Sequence, residues 1–212
     1  MPKVDLRVYK RELREKRKNS RMSLDPKQKE SMDRRIAHRV ISLKRYANAN
    51  TVMIYASTPI EVDTFEIIDH ALSHGKHVAL PRCIKGTRNM EFYYINSTDD
   101  LERGTFNVLE PREGLTEVTD YSGALMIVPA LGLDSFGYRL GYGGGYYDRY
   151  LARYDFDTVG ICYADDYMYR MLHGRYDCPL GLIITERFVR RPNKTGVKIT
   201  KKAQEDQNGS TE

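Results

Sequence analysis

The segment 51–81 constrains the fold most. Residues 51–56 (TVMIYA) form a short apolar run, the pattern of a buried strand. A loop over 58–62 follows. Asp63 and Glu66 have the spacing of a capping box and open a helix through Ile67, Ile68, Ala71 and Leu72. Gly75 supplies the helix stop, and residues 77–81 make the next strand. Strand, helix and strand in that order form a crossover unit, which predicts a parallel sheet covered by helices. Residues 125–128 (LMIV) are the clearest central strand, 158–162 and Leu182–Ile184 add two more, and Met90–Ile95 alternates like an edge strand. The expected fold class is α/β: an open, mostly parallel sheet flanked by helices on both faces, with an N-terminal basic helical segment.

At 212 residues the chain has the length of one domain and can bury a substantial core. A single α/β domain is expected over 1–191. From Pro192 the composition is Lys, Gln, Asp, Asn, Gly and Ser with almost nothing apolar, so 192–212 is expected to be a disordered tail. No apolar run is long enough to span a bilayer, and the amino terminus is charged and helical rather than signal-like. The expectation is cytoplasmic residence with no membrane partner. Cys83, Cys162 and Cys178 are odd in number and widely spaced, so they read as reduced thiols rather than a disulfide framework.

Charge is unevenly spread. The first 50 residues carry 16 Lys and Arg against 6 Asp and Glu, whereas the remainder carries 18 against 23. Residues 3–18 have helical composition, with Leu6 and Leu13 as sparse apolar contacts. Lys10, Arg14 and Arg17 share one face of that helix. Such a run is a solvated face or a seat for a polyanion, phosphate being the simplest. Asp25 and Pro26 start a second helix, with Met32, Ile36, Val40 and Leu43 on a helical period to about residue 45. Residues 97–120 are polar and turn-rich. The 16 tyrosines are spread along the chain and the last three-quarters is acidic, which argues against a nucleic-acid module.

The chemistry concentrates in residues 128–151 (VPALGLDSFGYRLGYGGGYYDRYL). An apolar strand leads to a turn centred on Asp134 and Gly137, then past Arg139 to Gly141, Gly143, Gly144 and Gly145. A segment with helical potential follows, carrying Tyr146, Tyr147 and Asp148. Glycines at a loop–helix junction let backbone N–H groups approach an anion, and the helix N-terminus adds partial positive charge there. Arg139 offers a fork of donors to phosphate oxygens. Asp148 is a hard oxygen ligand of the kind Mg2+ uses beside phosphate. The loop has no lysine, so it is not a Walker motif, and Tyr146 replaces the third glycine of GxGxxG. A tight structural turn is the competing reading, but a turn needs neither Arg139 nor Asp148. Tyr146 and Tyr147 read either as one packed and one surface residue or as ligand contacts. Glu61, after the first strand, is either an exposed loop acid or an acceptor for an N–H-rich heterocycle at the carboxyl end of a sheet. Of His70, His74 and His77, the first two lie four apart on the predicted helix, but no third ligand has telling metal spacing and a polar helix face explains them better.

Together these features resemble the 5-formyltetrahydrofolate cyclo-ligase family, also called methenyltetrahydrofolate synthetase. The residues that carry the resemblance are KRELR at 10–14, Glu61-Val62-Asp63-Thr64 after the first strand, and P-x-L-G-x-D-x-x-G-x-R-L-G-x-G-x-G-Y-Y-D over 129–148. A late D-x-P-x-x-x-I-x-T-E over 177–186 completes the set. The resemblance implies ATP-dependent conversion of 5-formyltetrahydrofolate to 5,10-methenyltetrahydrofolate with release of ADP and phosphate, and a requirement for Mg2+. It assigns Lys10, Arg11, Arg14, Arg139, Gly141, Gly143, Gly144, Gly145, Tyr146 and Tyr147 to ATP. Among these, Arg139, Lys10 and Arg14 would act in catalysis. Ala56, Glu61 and Tyr147 would contact the folate, and Asp148 and Asp177 the magnesium. One position departs from the pattern: Gly181 stands where a second acid often follows the late proline. The partners implied are the folate and ATP alone, in a monomer or weak homodimer. A diverged ATP-dependent paralog acting on another small heterocycle is the alternative.

Overall fold

The computed structural model describes residues 5–193, so most of the expected polar tail lies outside the described residues. Helix α1 (Leu6–Met22) begins at Asp5, whose carboxylate accepts from the Arg7 and Val8 N–H groups. Helix α2 (Pro26–Ile41) has Asp25 as its N-cap, accepting from the Gln28 N–H at 3.0 Å, with Pro26 in the first turn. The helix ends before residue 45. Leu43 adopts extended backbone and starts a short helix, α3 (Lys44–Asn48), which turns Tyr46 into the core.

The remaining elements are β1 (Thr51–Met53), α4 (Phe65–Ser73), β2 (His77–Cys83), β3 (Met90–Ile95), β4 (Leu101–Arg103) and β5 (Leu109–Pro111). They continue as β6 (Ala124–Pro129), β7 (Gly132–Asp134), β8 (Arg139–Leu140), α5 (Tyr146–Arg153), β9 (Asp157–Ile161), β10 (Tyr167–Met168), β11 (Leu182–Ile184) and β12 (Val189–Arg190). The expected capping box at α4 does not form. Thr64 precedes the helix with its hydroxyl donated to the Tyr55 carbonyl at 2.6 Å, and Asp63 accepts from the Phe65 N–H instead. The polar stretch 97–120 holds the β4–β5 hairpin, whose strands are too short to show a periodic pattern.

Seven strands form the main sheet in the order β12-β11-β9-β6-β1-β2-β3. The five inner strands are parallel; β12 and β3 close the edges antiparallel. Strand β6 shows the two-residue alternation. Leu125 and Ile127 join the core that contains Ile36 and Val40 of α2 and Ile67 and Ile68 of α4. Met126 and Val128 join the opposite core with Tyr150 and Leu151 of α5. Helices therefore cover both faces, and each such aliphatic side chain contributes about 1.5–3 kcal/mol by leaving water.

A second sheet, β10-β7-β8, carries α1: Tyr9 and Leu13 pack against Leu131, Tyr138, Leu140 and Met171. Arg21 pins the end of α1. Its buried guanidinium donates to Asp166 Oδ2 at 2.8 Å, to the Ala130 carbonyl at 2.7 Å and to the Ile60 carbonyl at 3.2 Å. The basic helix is thus fixed beside the β1 and β6 ends of the main sheet. No helix among the described residues is long and apolar enough to cross a membrane.

Candidate active site

The chain runs β1 to β2 to β3 in one direction across the sheet and β6 to β9 to β11 in the other. The reversal between β1 and β6 opens a crevice at the carboxyl ends of the strands, the usual ligand position in such sheets. A cleft of about 1050 Å³ lies there, with Tyr55 and Ala56 after β1, Pro81 and Cys83 of β2 and Pro129 of β6 in its wall. Helix α1 lines one side with Arg7, Lys10, Arg14 and Lys18, a stripe spaced by three and four residues. Arg139, the glycine loop, Tyr146, Tyr147, Asp148 and Asp177 line it too. Every residue nominated for ATP, folate or magnesium reaches this cleft except Arg11, which is exposed, one helical step from Lys10. Arg17 of the basic face stays out as well, its guanidinium donating to the Asp165 carbonyl at 2.8 Å and pairing with Asp166.

The glycine loop is built around two arginines. Gly143 and Gly145 have φ of +108° and +74°, which only glycine adopts without strain. A Cβ on Gly141 would fall 2.5 Å from Arg139 Nη1, and one on Gly143 would fall 3.3 Å from Arg14 Cζ. Arg14 Nε donates to the Gly141 carbonyl at 2.7 Å, fastening α1 to the loop. Burial lowers the Arg14 pKa and the Asp177 charge opposes that fall. Arg139 Nη2 lies 3.0 Å from Asp148 Oδ1 without the direction of a hydrogen bond. Its guanidinium carbon is 5.3 Å from the centre of the Tyr147 ring. Arg139 Nε and Nη2 are buried and have no hydrogen-bond partner among the described residues. Buried donors left unfilled are costly, and a guanidinium in that state is matched to an arriving anion.

Two carboxylates stand beside these cations. Asp177 pairs with Lys10 and accepts from the Gly174 N–H at 2.8 Å, while Asp148 sits in the first turn of α5. The Cys178 N–H reaches Asp148 at 3.5 Å, which ties the 177–178 segment to α5. Asp148 Oδ1 is the oxygen nearest Arg139 and the Cys178 N–H, and Asp177 Oδ2 is the one that takes Lys10 and the Gly174 N–H. No group of three or more His, Cys, Asp or Glu side chains among the described residues forms a self-contained metal site. Mg2+ normally takes only one or two protein carboxylates and completes its shell with water and phosphate, so this donor pair fits it.

Glu61, also in the cleft, is 7% exposed, so it is not an exposed loop acid. Its Oε2 accepts from both the N–H and the hydroxyl of Thr58 at 2.8 Å. The Tyr147 hydroxyl is buried without a partner among the described residues. Burial, then the Glu61 carboxylate, raises its pKa, and Arg139 opposes them. A neutral phenol and a held carboxylate are the equipment for recognising a polar heterocycle edge.

Other nominated features serve the fold. Asp134 is fully buried and accepts from the N–H groups of Phe136, Tyr138 and Met171, each at 3.0 Å, while Gly137 lets the β7–β8 turn pass close to the Leu180 carbonyl. Glu186 accepts from the Ala164 N–H at 2.8 Å. Gly181 is exposed at the start of β11, outside the cleft, with Arg45 its nearest charged neighbour. His70 and His74 stack with ring centres 3.9 Å apart on α4. Sequence reasoning missed the apolar wall of the cleft, formed by Met90 and by Phe106, Val108 and Leu109 of the hairpin. Phe106 is 74% exposed at φ +59°, edge-on to Tyr146. Only an aromatic residue inside a polar run hinted at it.

A profile of the 5-formyltetrahydrofolate cyclo-ligase family matches residues 7–186, which takes in every strand but β12 and every wall of the cleft. The chain belongs to that family. The 5-formyltetrahydrofolate cyclo-ligase of Escherichia coli K12 is 29% identical over 170 residues, covering 78% of this chain and 93% of the relative. The Mus musculus cyclo-ligase is 31% identical over 159 residues, covering 72% and 78%. Among solved structures, the 5,10-methenyltetrahydrofolate synthetase of Aquifex aeolicus superposes with a TM-score of 0.77 at 28% identity, covering 92% of this chain and 99% of that one. The family's long glycine signature is thus the segment that places Arg139, the loop and Asp148 on one side of the cleft.

Proposed function

We propose that this protein converts 5-formyltetrahydrofolate to 5,10-methenyltetrahydrofolate, consuming ATP and releasing ADP and phosphate. The family relation supports the substrate class. The observation that carries the reading is the buried Arg139 guanidinium with two unfilled nitrogens, set between the glycine loop and Asp148 in the same cleft as Glu61. Three cysteine side chains that serve as thiols agree with work in the cytoplasm.

A formamide carbon is a weak electrophile and its oxygen a poor leaving group. Phosphorylation of the formyl oxygen by ATP cures both faults. The second folate nitrogen then attacks the formyl carbon, the ring closes, and phosphate departs with the former formyl oxygen. No protein nucleophile takes part, so the chain's work is alignment and charge neutralisation. In this reading Arg139, Lys10 and Arg14 bind the phosphates, and the loop N–H groups and the α5 N-terminus complete that cradle. Glu61, Ala56 and Tyr147 hold the heterocycle. Asp148 and Asp177 would hold Mg2+, which supplies charge neutralisation at the phosphates.

The test is incubation of the purified protein with 5-formyltetrahydrofolate, ATP and Mg2+. The methenyl chromophore and one ADP per folate are expected. ATP breakdown without the chromophore, or turnover of a different heterocycle only, would overturn the assignment.

A further inference from the structure

The cleft holds a second buried carboxylate that the reaction just described does not use. Glu110 of β5 is 7% exposed and lines the cleft beside Leu109 and Cys83. It also borders an adjoining cavity of about 560 Å³ under the β4–β5 hairpin. Among the described residues its side-chain partner is the Cys83 thiol; burial, then the Glu110 charge, pushes that thiol up to about 12. A thiol is a weak donor and leaves most of a carboxylate's accepting capacity unmet. Glu61, by contrast, already receives two strong donors from Thr58. The space for Glu110 is built in: a Cβ on Gly104 would lie 2.3 Å from its Oε2. Strand β5 packs on β2, and the Cys83 thiol beside Glu110 also meets Tyr146; the cations Arg139, Lys10 and Arg14 line the same cleft.

A buried carboxylate with a thiol for company is matched to a ligand that brings N–H donors. A reduced pterin carries such donors on its aminopyrimidine edge and ring nitrogens. We propose that Glu110 is a specificity-determining residue that accepts an N–H of the folate heterocycle, so that the ring is held between two carboxylates, Glu61 and Glu110. This rests on the proposed function. The hairpin then has a role in recognition, since β5 brings the acceptor and the neighbouring apolar residues keep water from competing for it.

The experiment measures separate KM values for 5-formyltetrahydrofolate and ATP, together with direct calorimetric binding of 5-formyltetrahydrofolate without ATP. Glu110→Gln and Glu110→Ala should raise the folate KM and weaken that binding about tenfold or more, the worth of a hydrogen bond to a charged group. The ATP KM should stay within about twofold. Gly104→Ala, which displaces the carboxylate but keeps its charge, should move the folate KM in the same direction, so a poorly folding Glu110 variant does not end the test. An unchanged folate KM in folded Glu110→Gln and Gly104→Ala overturns the inference. Equal rises in both KM values overturn it too, since the residue would then act on the cleft as a whole. A wild-type protein that neither binds nor converts 5-formyltetrahydrofolate overturns the proposed function and this inference with it; normal wild-type turnover with insensitive variants removes Glu110 alone.

Discussion

Asp148 serves two neighbours at once, the buried Arg139 guanidinium 3.0 Å away and, in the proposed reaction, Mg2+. Asp148→Asn keeps the shape and removes the charge. It should cut kcat by about tenfold or more and raise the Mg2+ concentration for half-maximal rate, since a charged ligand is replaced by a neutral one. Steady-state rates across a Mg2+ titration check this; a wild-type Mg2+ curve would discard the metal role. Glu61→Ala should raise the folate KM well above any change in the ATP KM, because its carboxylate is held at the heterocycle end by Thr58. The reverse split would mean that the two halves of the cleft are swapped. Arg139, the glycines and Asp148 were legible in the sequence because they lie within one short segment, where spacing alone dictates proximity. Glu61 was legible as a candidate from its place after a strand. Glu110 and Phe106 were not, since their approach depends on where a hairpin docks, which no local pattern records.

The loop and the α4 face illustrate what elements add. Gly137 and Gly145 both have positive φ, +86° and +74°, but for different ends. A Cβ on Gly137 meets the Leu180 carbonyl at 2.7 Å, whereas one on Gly145 meets the movable tip of Arg149 at the same distance. Gly137→Ala should lose at least about 2 kcal/mol in urea unfolding, with nucleotide affinity of the folded fraction unchanged. Gly145→Ala should lose about 1–2 kcal/mol and raise the ATP KM several-fold, because it distorts the N–H cradle itself. On α4, His70 Nδ1 bonds the Tyr46 hydroxyl at 2.8 Å. Burial, then His74 and Lys76, holds the His70 pKa below 6.5. The unfolded chain therefore binds its proton first, and stability should fall as pH drops from about 6.5 through the lower folded value. Thermal midpoints from pH 7 to 5 check the sign, and His74→Gln, which removes one of the opposing charges, should flatten the trend. The inner strands and α4 were legible because they are apolar and periodic. Helix α2 stopped short of its expected end, and the capping box failed, because Leu43 and Thr64 took tertiary partners that local rules ignore.

The whole molecule assembles the site from parts far apart in the chain. Helix α1 brings cations from the N-terminal quarter, the sheet switch point between β1 and β6 supplies the crevice, and the 129–148 segment delivers the loop. The basicity of the first 50 residues divides accordingly: Arg21 locks α1 to Asp166, while Lys10 and Arg14 face the cleft. A helix fixed in this way holds its charges in position before any phosphate arrives, which lowers the ordering cost of binding. The most direct measurement is a crystal structure with ADP, Mg2+ and 5-formyltetrahydrofolate bound. The diphosphate is expected against Arg139, Gly141, Gly143 and Gly145, and the heterocycle against Glu61. A nucleotide seated elsewhere, with Arg139 still lacking an acceptor, would contradict that placement.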